Sequence, residues 1–162
     1  MTLGLSLSAF TTLHVVISLI GIASGFVVLY GMLGSQRLPG WTALFLATTI
    51  LTSVTGFMFP INGVTPGLVV GAISLVLLGL ALLGLYVFRL AGPWRWVYVF
   101  TALAALYFNV FVGVVQAFRR VPVLRTLAPQ QTEPPFLIAQ LVVLAVFVAL
   151  TIVATRRFAR GA

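Results

Sequence analysis

Long apolar runs alternate with short polar segments along the whole chain. The runs are close to the roughly 20 residues that a helix needs to cross the hydrocarbon core of a bilayer. The pattern therefore predicts an all-α integral membrane bundle of five transmembrane helices, forming one domain over residues 1–162. The predicted spans run approximately over residues 10–33, 41–59, 67–88, 96–118 and 136–155.

The prolines support these spans. Proline interrupts the hydrogen-bond ladder of a helix, and a freed carbonyl in lipid finds no water. All eight prolines lie between the predicted spans: Pro39, Pro60, Pro66, Pro93, Pro122, Pro129, Pro134 and Pro135. Within the longest connection, residues 119–135, the apolar positions of RRVPVLRTL predict a short helix lying at the membrane interface.

Composition agrees with a lipid environment and excludes several chemistries. Hydrophobic residues make up 62% of the chain and charged residues only 6%, against about 25% charged in soluble domains. With no Cys and no Lys, thiol and Schiff-base catalysis are excluded. A single acid, Glu133, and a single histidine, His14, exclude carboxylate pairs and Ser-His-Asp triads.

The nine arginines predict how the chain is inserted. Five spans place the termini on opposite sides, and the C-terminal side carries Arg37, Arg89, Arg95, Arg156, Arg157 and Arg160. The positive-inside rule then predicts a multi-pass inner-membrane protein with the N-terminus outside and the C-terminus cytoplasmic. The cytoplasmic arginines sit near aromatic residues that we interpret as a headgroup belt: Tyr30, Trp41, Trp94, Trp96 and Tyr98. Because the arginines are scattered between apolar runs, we expect no nucleic-acid partner.

The remaining chemistry falls mostly on the opposite, outer side. We predict a ligand-binding site there, built from His14, Asn109, Gln116, Arg119, Arg120, Arg125, Glu133 and Gln140. Helical spacing aligns residues of three spans into three stripes. They are His14, Ser18, Gly21 and Gly25 in the first span, Tyr98, Thr101, Asn109, Gln116 and Arg120 in the fourth, and Gln140, Thr151 and Thr155 in the fifth. Since an unpaired amide in hydrocarbon is costly, these stripes are expected to face a shared bundle interior.

Each of these features has a structural alternative. His14 could be an interior residue that hydrogen-bonds to Ser18 or Gln140. Glu133 could form a salt bridge with a nearby arginine, and the outer arginines could bind lipid phosphate. The Gly21–Gly25 and Gly67–Gly71 pairs could pack helices within the chain or form a dimer interface.

The sequence leaves three functions open. The first is a non-enzymatic protein that binds or moves a lipophilic or small anionic ligand, with membrane lipids as partners and a homo-oligomer as an option. The second is an accessory subunit of a larger membrane complex, in which the site binds quinone or only packs. The third is an acid–base enzyme using His14 and Glu133. No metal site is expected, and haem is disfavoured because no second histidine exists to complete the axial ligands.

Overall fold

A computed structural model of the chain describes residues 4–60 and 63–161, with side chains up to residue 158. This part of the chain is 82% helical and contains no β-strand. A π-helical turn, Leu83–Val87, continues the third helix. The helices are α1 (Leu7–Leu33), α2 (Pro39–Phe57), α3 (Pro66–Leu82), α4 (Trp94–Arg120), α5 (Pro122–Leu127) and α6 (Pro134–Gly161).

Five of these helices are long and apolar enough to cross a membrane: α1, α2, α3 with its π-helical turn, α4 and α6. This confirms the predicted all-α bundle of five membrane-spanning helices. The remaining helix, α5, is the short helix predicted in the connection between the last two spans. The exposed apolar side chains here are Val123 and Leu127 on α5 and Val121 just before it, as expected of a helix that lies on lipid.

Four prolines begin helices and do not merely separate them. Pro39, Pro66, Pro122 and Pro134 are the first residues of α2, α3, α5 and α6. The first N–H groups of a helix have no partner within it, so proline loses nothing there and its fixed φ suits the helix. Helices α2, α3 and α6 consequently start one or two residues before the predicted spans, which had excluded the prolines.

Helix α4 is the centre of the bundle and packs against α1, α2, α3 and α6. The main apolar core runs along it, with Val99, Ala102, Leu103, Ala105 and Leu106 almost fully buried. The predicted polar stripe on this helix is buried in part, since Tyr98, Thr101 and Asn109 lie inside. Gln116 and Arg120 at its end are exposed, so there the prediction of an interior face was wrong.

The Gly21–Gly25 pair of α1 packs within the chain. A Cβ atom on Gly25 would lie 2.5 Å from Cδ1 of Leu106 and 3.0 Å from the ring of Phe45. A Cβ atom on Gly21 would lie 3.1 Å from Nδ2 of Asn109. Glycine therefore lets α1 approach α2 and α4 at this point, which is the intramolecular alternative for this motif.

Replacing Gly25 by alanine should destabilise the bundle, because Leu106 and Phe45 are 0% and 1% exposed and have no free space to move into. Overpacking of this kind costs about 1–3 kcal/mol. Gly79→Ala is the matched control, since a Cβ atom on Gly79 meets no atom within 4 Å. Thermal unfolding in detergent should show a lowered midpoint for Gly25→Ala only; equal midpoints would contradict the close packing.

Candidate functional site

His14 joins α1 to α2 by a hydrogen bond. Its Nδ1 lies 2.7 Å from Oγ1 of Thr55, whose hydroxyl donates to the carbonyl of Leu51 at 2.7 Å. A hydroxyl can donate to that carbonyl and accept from an imidazole N–H at the same time, so we assign the proton to Nδ1 of His14, which then donates to Thr55. The ring also meets Phe59 edge-on at a centroid distance of 5.2 Å. The expected partners were wrong: the Ser18 hydroxyl donates to the backbone carbonyl of His14.

Asn109 lies in the bundle interior where α1, α2 and α4 meet. It is 9% exposed, and its Nδ2 has no hydrogen-bond partner among the described residues. Oγ1 of Thr49, 2% exposed, is likewise without a partner there. Both atoms face Gly21, at 3.1 and 3.2 Å from the position of its absent Cβ. Two polar groups are thus held against the α1 backbone at the tightest part of the bundle.

Three of the predicted site residues lie at or near the end of α4, and a fourth lies on α5. Nε of Arg120 donates to Oε1 of Gln116 at 3.4 Å, one helical turn earlier. Both side chains are exposed, as are Arg119 and Arg125. The structure therefore brings Gln116 and Arg120 together on the surface and not inside a cavity.

Glu133 binds its own loop. Its Oε1 accepts from the backbone N–H of Gln130 at 3.1 Å, and its Oε2 from that of Thr132 at 3.0 Å. In the described part of the chain it forms no ion pair with the nearby arginines, so the expected salt bridge is wrong. Desolvation raises the pKa of Glu133, but the backbone N–H groups of residues 130–133 outweigh it and hold the pKa below its usual value.

Two glutamines attach the outer connection and α6 to α4. Nε2 of Gln140 donates to the carbonyl of Phe111 at 3.3 Å, and Nε2 of Gln131 donates to that of Val115 at 2.8 Å. These carbonyls lie one turn apart on α4. The buried Oε1 of Gln140 has no partner among the described residues. Gln140 thus serves at least as an interhelical contact, a common role of amides in membrane bundles.

The eight predicted site residues therefore separate into several local contacts. His14 is bound to α2, Asn109 to the centre, Gln140 to α4 and Glu133 to its own loop. No hydrogen bond or ion pair between His14 and Glu133 occurs in the described residues. Those residues also contain no group of three or more His, Asp or Glu side chains that could hold a metal. Whether these residues bind a ligand stays a prediction.

A large groove lies elsewhere, between α4 and α6, with a volume of about 790 Å³. Most of its wall is apolar and aromatic, including Phe100, Tyr107 and Phe147, and the last two rings meet edge-on at 5.7 Å. Polar groups gather toward one end, at Thr155 and Arg156. We refer to it as the α4–α6 groove.

The groove has the length of one membrane leaflet. Trp96 and Tyr107 mark its ends on α4, and a rise of about 1.5 Å per residue makes it about 17 Å long. A hydrocarbon core is roughly 30 Å thick. The end carrying Trp96 and Arg156 lies at the start of α4 and near the end of α6, which is the side predicted to be cytoplasmic.

The sequence pattern did not indicate this groove, because Trp96 and Arg156 also fit the role of interfacial anchors. The available signal was the polar stripe of Thr151 and Thr155 on α6, which was predicted to face inward and does line the groove. Ala104 is smaller than the other α4 residues that line the groove, so its short side chain leaves part of the groove's volume open.

The comparisons with known proteins add no relative. No protein-family model, curated protein or solved structure matches this chain. The function therefore has to be argued from the geometry alone.

Replacing Thr55 by valine should remove the acceptor of His14 with little change in shape. Interhelical hydrogen bonds in membrane proteins contribute about 0.6 kcal/mol on average and about 1.7 kcal/mol at most. Thr52→Val is the control, because the Thr52 hydroxyl donates only to the carbonyl of Thr48 on its own helix. Unfolding in detergent should show a larger loss for Thr55→Val. Equal losses would mean that the His14–Thr55 bond contributes nothing measurable.

Acidification should weaken the loop held by Glu133. Because the pKa of Glu133 is lower in the folded protein, the unfolded chain binds its proton more readily. The stabilisation is therefore complete above the ordinary pKa of 4.5 and is lost as the pH falls through the lowered value. Hydrogen exchange at the amides of residues 130 and 132 should accelerate, after correction for intrinsic rates, in this range in the native protein. In Glu133→Gln the protection should be low and independent of pH.

Proposed function

We propose that this chain is a multi-pass membrane protein that binds a lipophilic ligand with a polar or anionic head in the α4–α6 groove. The observation that carries the proposal is the polarity of the groove. It is apolar and aromatic along most of its length, Thr151, Thr155 and Arg156 lie toward one end, and Tyr107 is the polar residue at the other. Its volume of about 790 Å³ falls within the range of roughly 300–1,000 Å³ typical of small-molecule sites.

The geometry favours an amphiphile inserted from one leaflet. An apolar chain about 17 Å long would fill the groove to the middle of the bilayer. Its head would then lie beside Arg156, whose guanidinium can bind two oxygens of a phosphate, carboxylate or carbonyl group. The indole of Trp96 at the same end suits the headgroup level. With the predicted insertion, the groove opens toward the cytoplasmic leaflet.

The accessory-subunit hypothesis is supported by a different observation. Only 17% of the α6 span is buried, compared with 39% for α4. Exposed side chains such as Ile138, Leu141 and Val142 lie on α6 outside the groove. A helix of a larger membrane complex could cover this face, and a quinone in the groove would suit such a complex. Co-purification of other subunits under mild extraction would favour this alternative.

The acid–base enzyme hypothesis has no comparable support, since His14 is hydrogen-bonded to Thr55 and Glu133 to the backbone of its own loop.

Filling the groove should abolish binding. Ala104→Phe places a ring into the groove, whereas Ala149→Phe adds the same ring to an exposed position on α6 outside it. With a photoreactive phosphatidylglycerol analogue in nanodiscs, cross-linking to the α4 and α6 peptides should fall about tenfold in Ala104→Phe, the effect of losing roughly 1.4 kcal/mol. Arg156→Gln should also reduce it, and Arg125→Gln should not. Equal labelling of all variants would show contact with bulk lipid only.

A further inference from the structure

A second, smaller cavity of about 200 Å³ lies at the same end of the bundle as the polar end of the groove. Most of its wall is apolar, and four segments contribute polar side chains to it. The connection between α1 and α2 contributes Arg37 and Gln36, and the π-helical turn after α3 contributes Tyr86. Thr42 of α2 and Tyr98 of α4 complete the set. We refer to it as the Arg37 cavity.

The polar groups of this cavity can all donate hydrogen bonds, and two of them, Thr42 and Tyr98, are also hydrogen-bonded to each other. A guanidinium has only donors, while two phenols, a hydroxyl and a carboxamide can all donate. The only acidic side chain of the protein, Glu133, lies in the connection before α6 at the opposite end of the bundle. Arg37 therefore cannot form a salt bridge with an acidic side chain of its own chain. The cavity combines a positive charge with several neutral donors and no acidic group.

The backbone holds Arg37 in a fixed position. The N–H of Gln36 donates to the carbonyl of Gly31 at 2.7 Å, and that of Ser35 donates to Met32 at 3.2 Å. This pair of bonds is a Schellman motif, and Ser35 adopts the left-handed conformation it needs, with φ of 54°. Leu38 then packs on Gly31, where a Cβ atom would lie 2.8 Å from its Cδ1. Arg37 is thus held between two anchored residues.

The opposite wall of the cavity also contains irregular backbone. Tyr86 lies in the π-helical turn, a conformation that is rare and is found frequently at functional sites. Behind it, Leu90 has φ of 61° and is 1% exposed, and its N–H donates to the carbonyl of Gly84 at 2.8 Å. Leu90 closes the apolar wall of the cavity, and Tyr98 is only 3% exposed. Tyr98 is therefore held by packing, whereas Gln36, Arg37 and Tyr86 are exposed.

We propose that the Arg37 cavity binds a phosphate-class oxyanion, either free or as the headgroup of an anionic lipid. A planar guanidinium binds two oxygens of such a group, and hydroxyl donors can satisfy the others. The volume, below the roughly 300–1,000 Å³ of sites for larger ligands, suits a small group. This site is separate from the α4–α6 groove and does not depend on the function proposed for the groove.

Two probes distinguish the sources of the oxyanion. Equilibrium dialysis with radiolabelled inorganic phosphate, in a neutral detergent, measures binding of the free ion. Mass spectrometry of lipids retained from mixed phosphatidylcholine–phosphatidylglycerol nanodiscs measures binding of the headgroup. Arg37→Gln should weaken the binding of whichever probe the native protein binds by at least about tenfold. Tyr98→Phe should weaken the same binding by several-fold, since hydrogen bonds to charged groups are stronger than neutral ones.

The controls separate this site from the rest of the protein. Arg119→Gln removes an exposed charge at the other end of the bundle and should leave binding unchanged. Ala104→Phe blocks the groove and should leave the binding of inorganic phosphate unchanged. The lipid measurement compares Arg37 with Arg37→Gln in the Ala104→Phe background, so that lipid held in the groove does not contribute. If Arg37→Gln does not fold, Tyr98→Phe and Tyr86→Phe test the same donors with the rings retained. The proposal is overturned if neither probe binds, or if both bind equally well to the native protein and to the cavity variants.

Discussion

The close approach of α1 to α2 and α4 at Gly21 and Gly25 is the contact on which the bundle depends. Lipid tails are as apolar as the helix surfaces, so helices in a membrane associate through close packing and interhelical hydrogen bonds. Because the two glycines have no side chains, Leu106 and Phe45 can pack against Gly25, and Asn109 and Thr49 can pack against Gly21 one turn earlier. Because α4 also packs on α3 and α6, the close contact of α1 with α4 links α1 to all the other membrane-spanning helices.

The polar residues of α2 show how a membrane interior accommodates hydroxyl groups. Thr48, Thr52, Ser53 and Thr55 each donate to a carbonyl four residues earlier on the same helix. Such bonds satisfy the hydroxyl locally and require no partner helix. Only Thr55 then also accepts from another helix, through His14. The polarity of α2 is therefore mostly internal to the helix, and the interhelical polar contacts are few and local.

The fold was largely predictable from sequence, whereas the grouping of polar residues was not. Span number follows from the length of the apolar runs, and the helix starts follow from proline chemistry at Pro39 and Pro66. Helical periodicity also placed Asn109 and Tyr98 inside. It could not show that Gln116, on the same stripe, lies beyond the neighbouring helices. Nor could it distinguish Thr55 from other partners of His14, since that choice depends on how α1 and α2 are rotated against each other.

A chain with nine arginines and one acid cannot neutralise its charge internally, so each guanidinium needs a neutral acceptor or an external anion. Arg120 uses the amide of Gln116, and Arg157 donates to the carbonyl of Leu33 at 3.4 Å, at the negative end of the α1 dipole. Arg37 and Arg156 instead line a cavity and a groove at one end of the bundle. With the predicted insertion, this end meets the cytoplasmic leaflet, whose anionic lipids attract cationic groups. If the predicted insertion and the two proposed sites hold, the unequal distribution of arginine places both the insertion signal and the ligand sites on the same side.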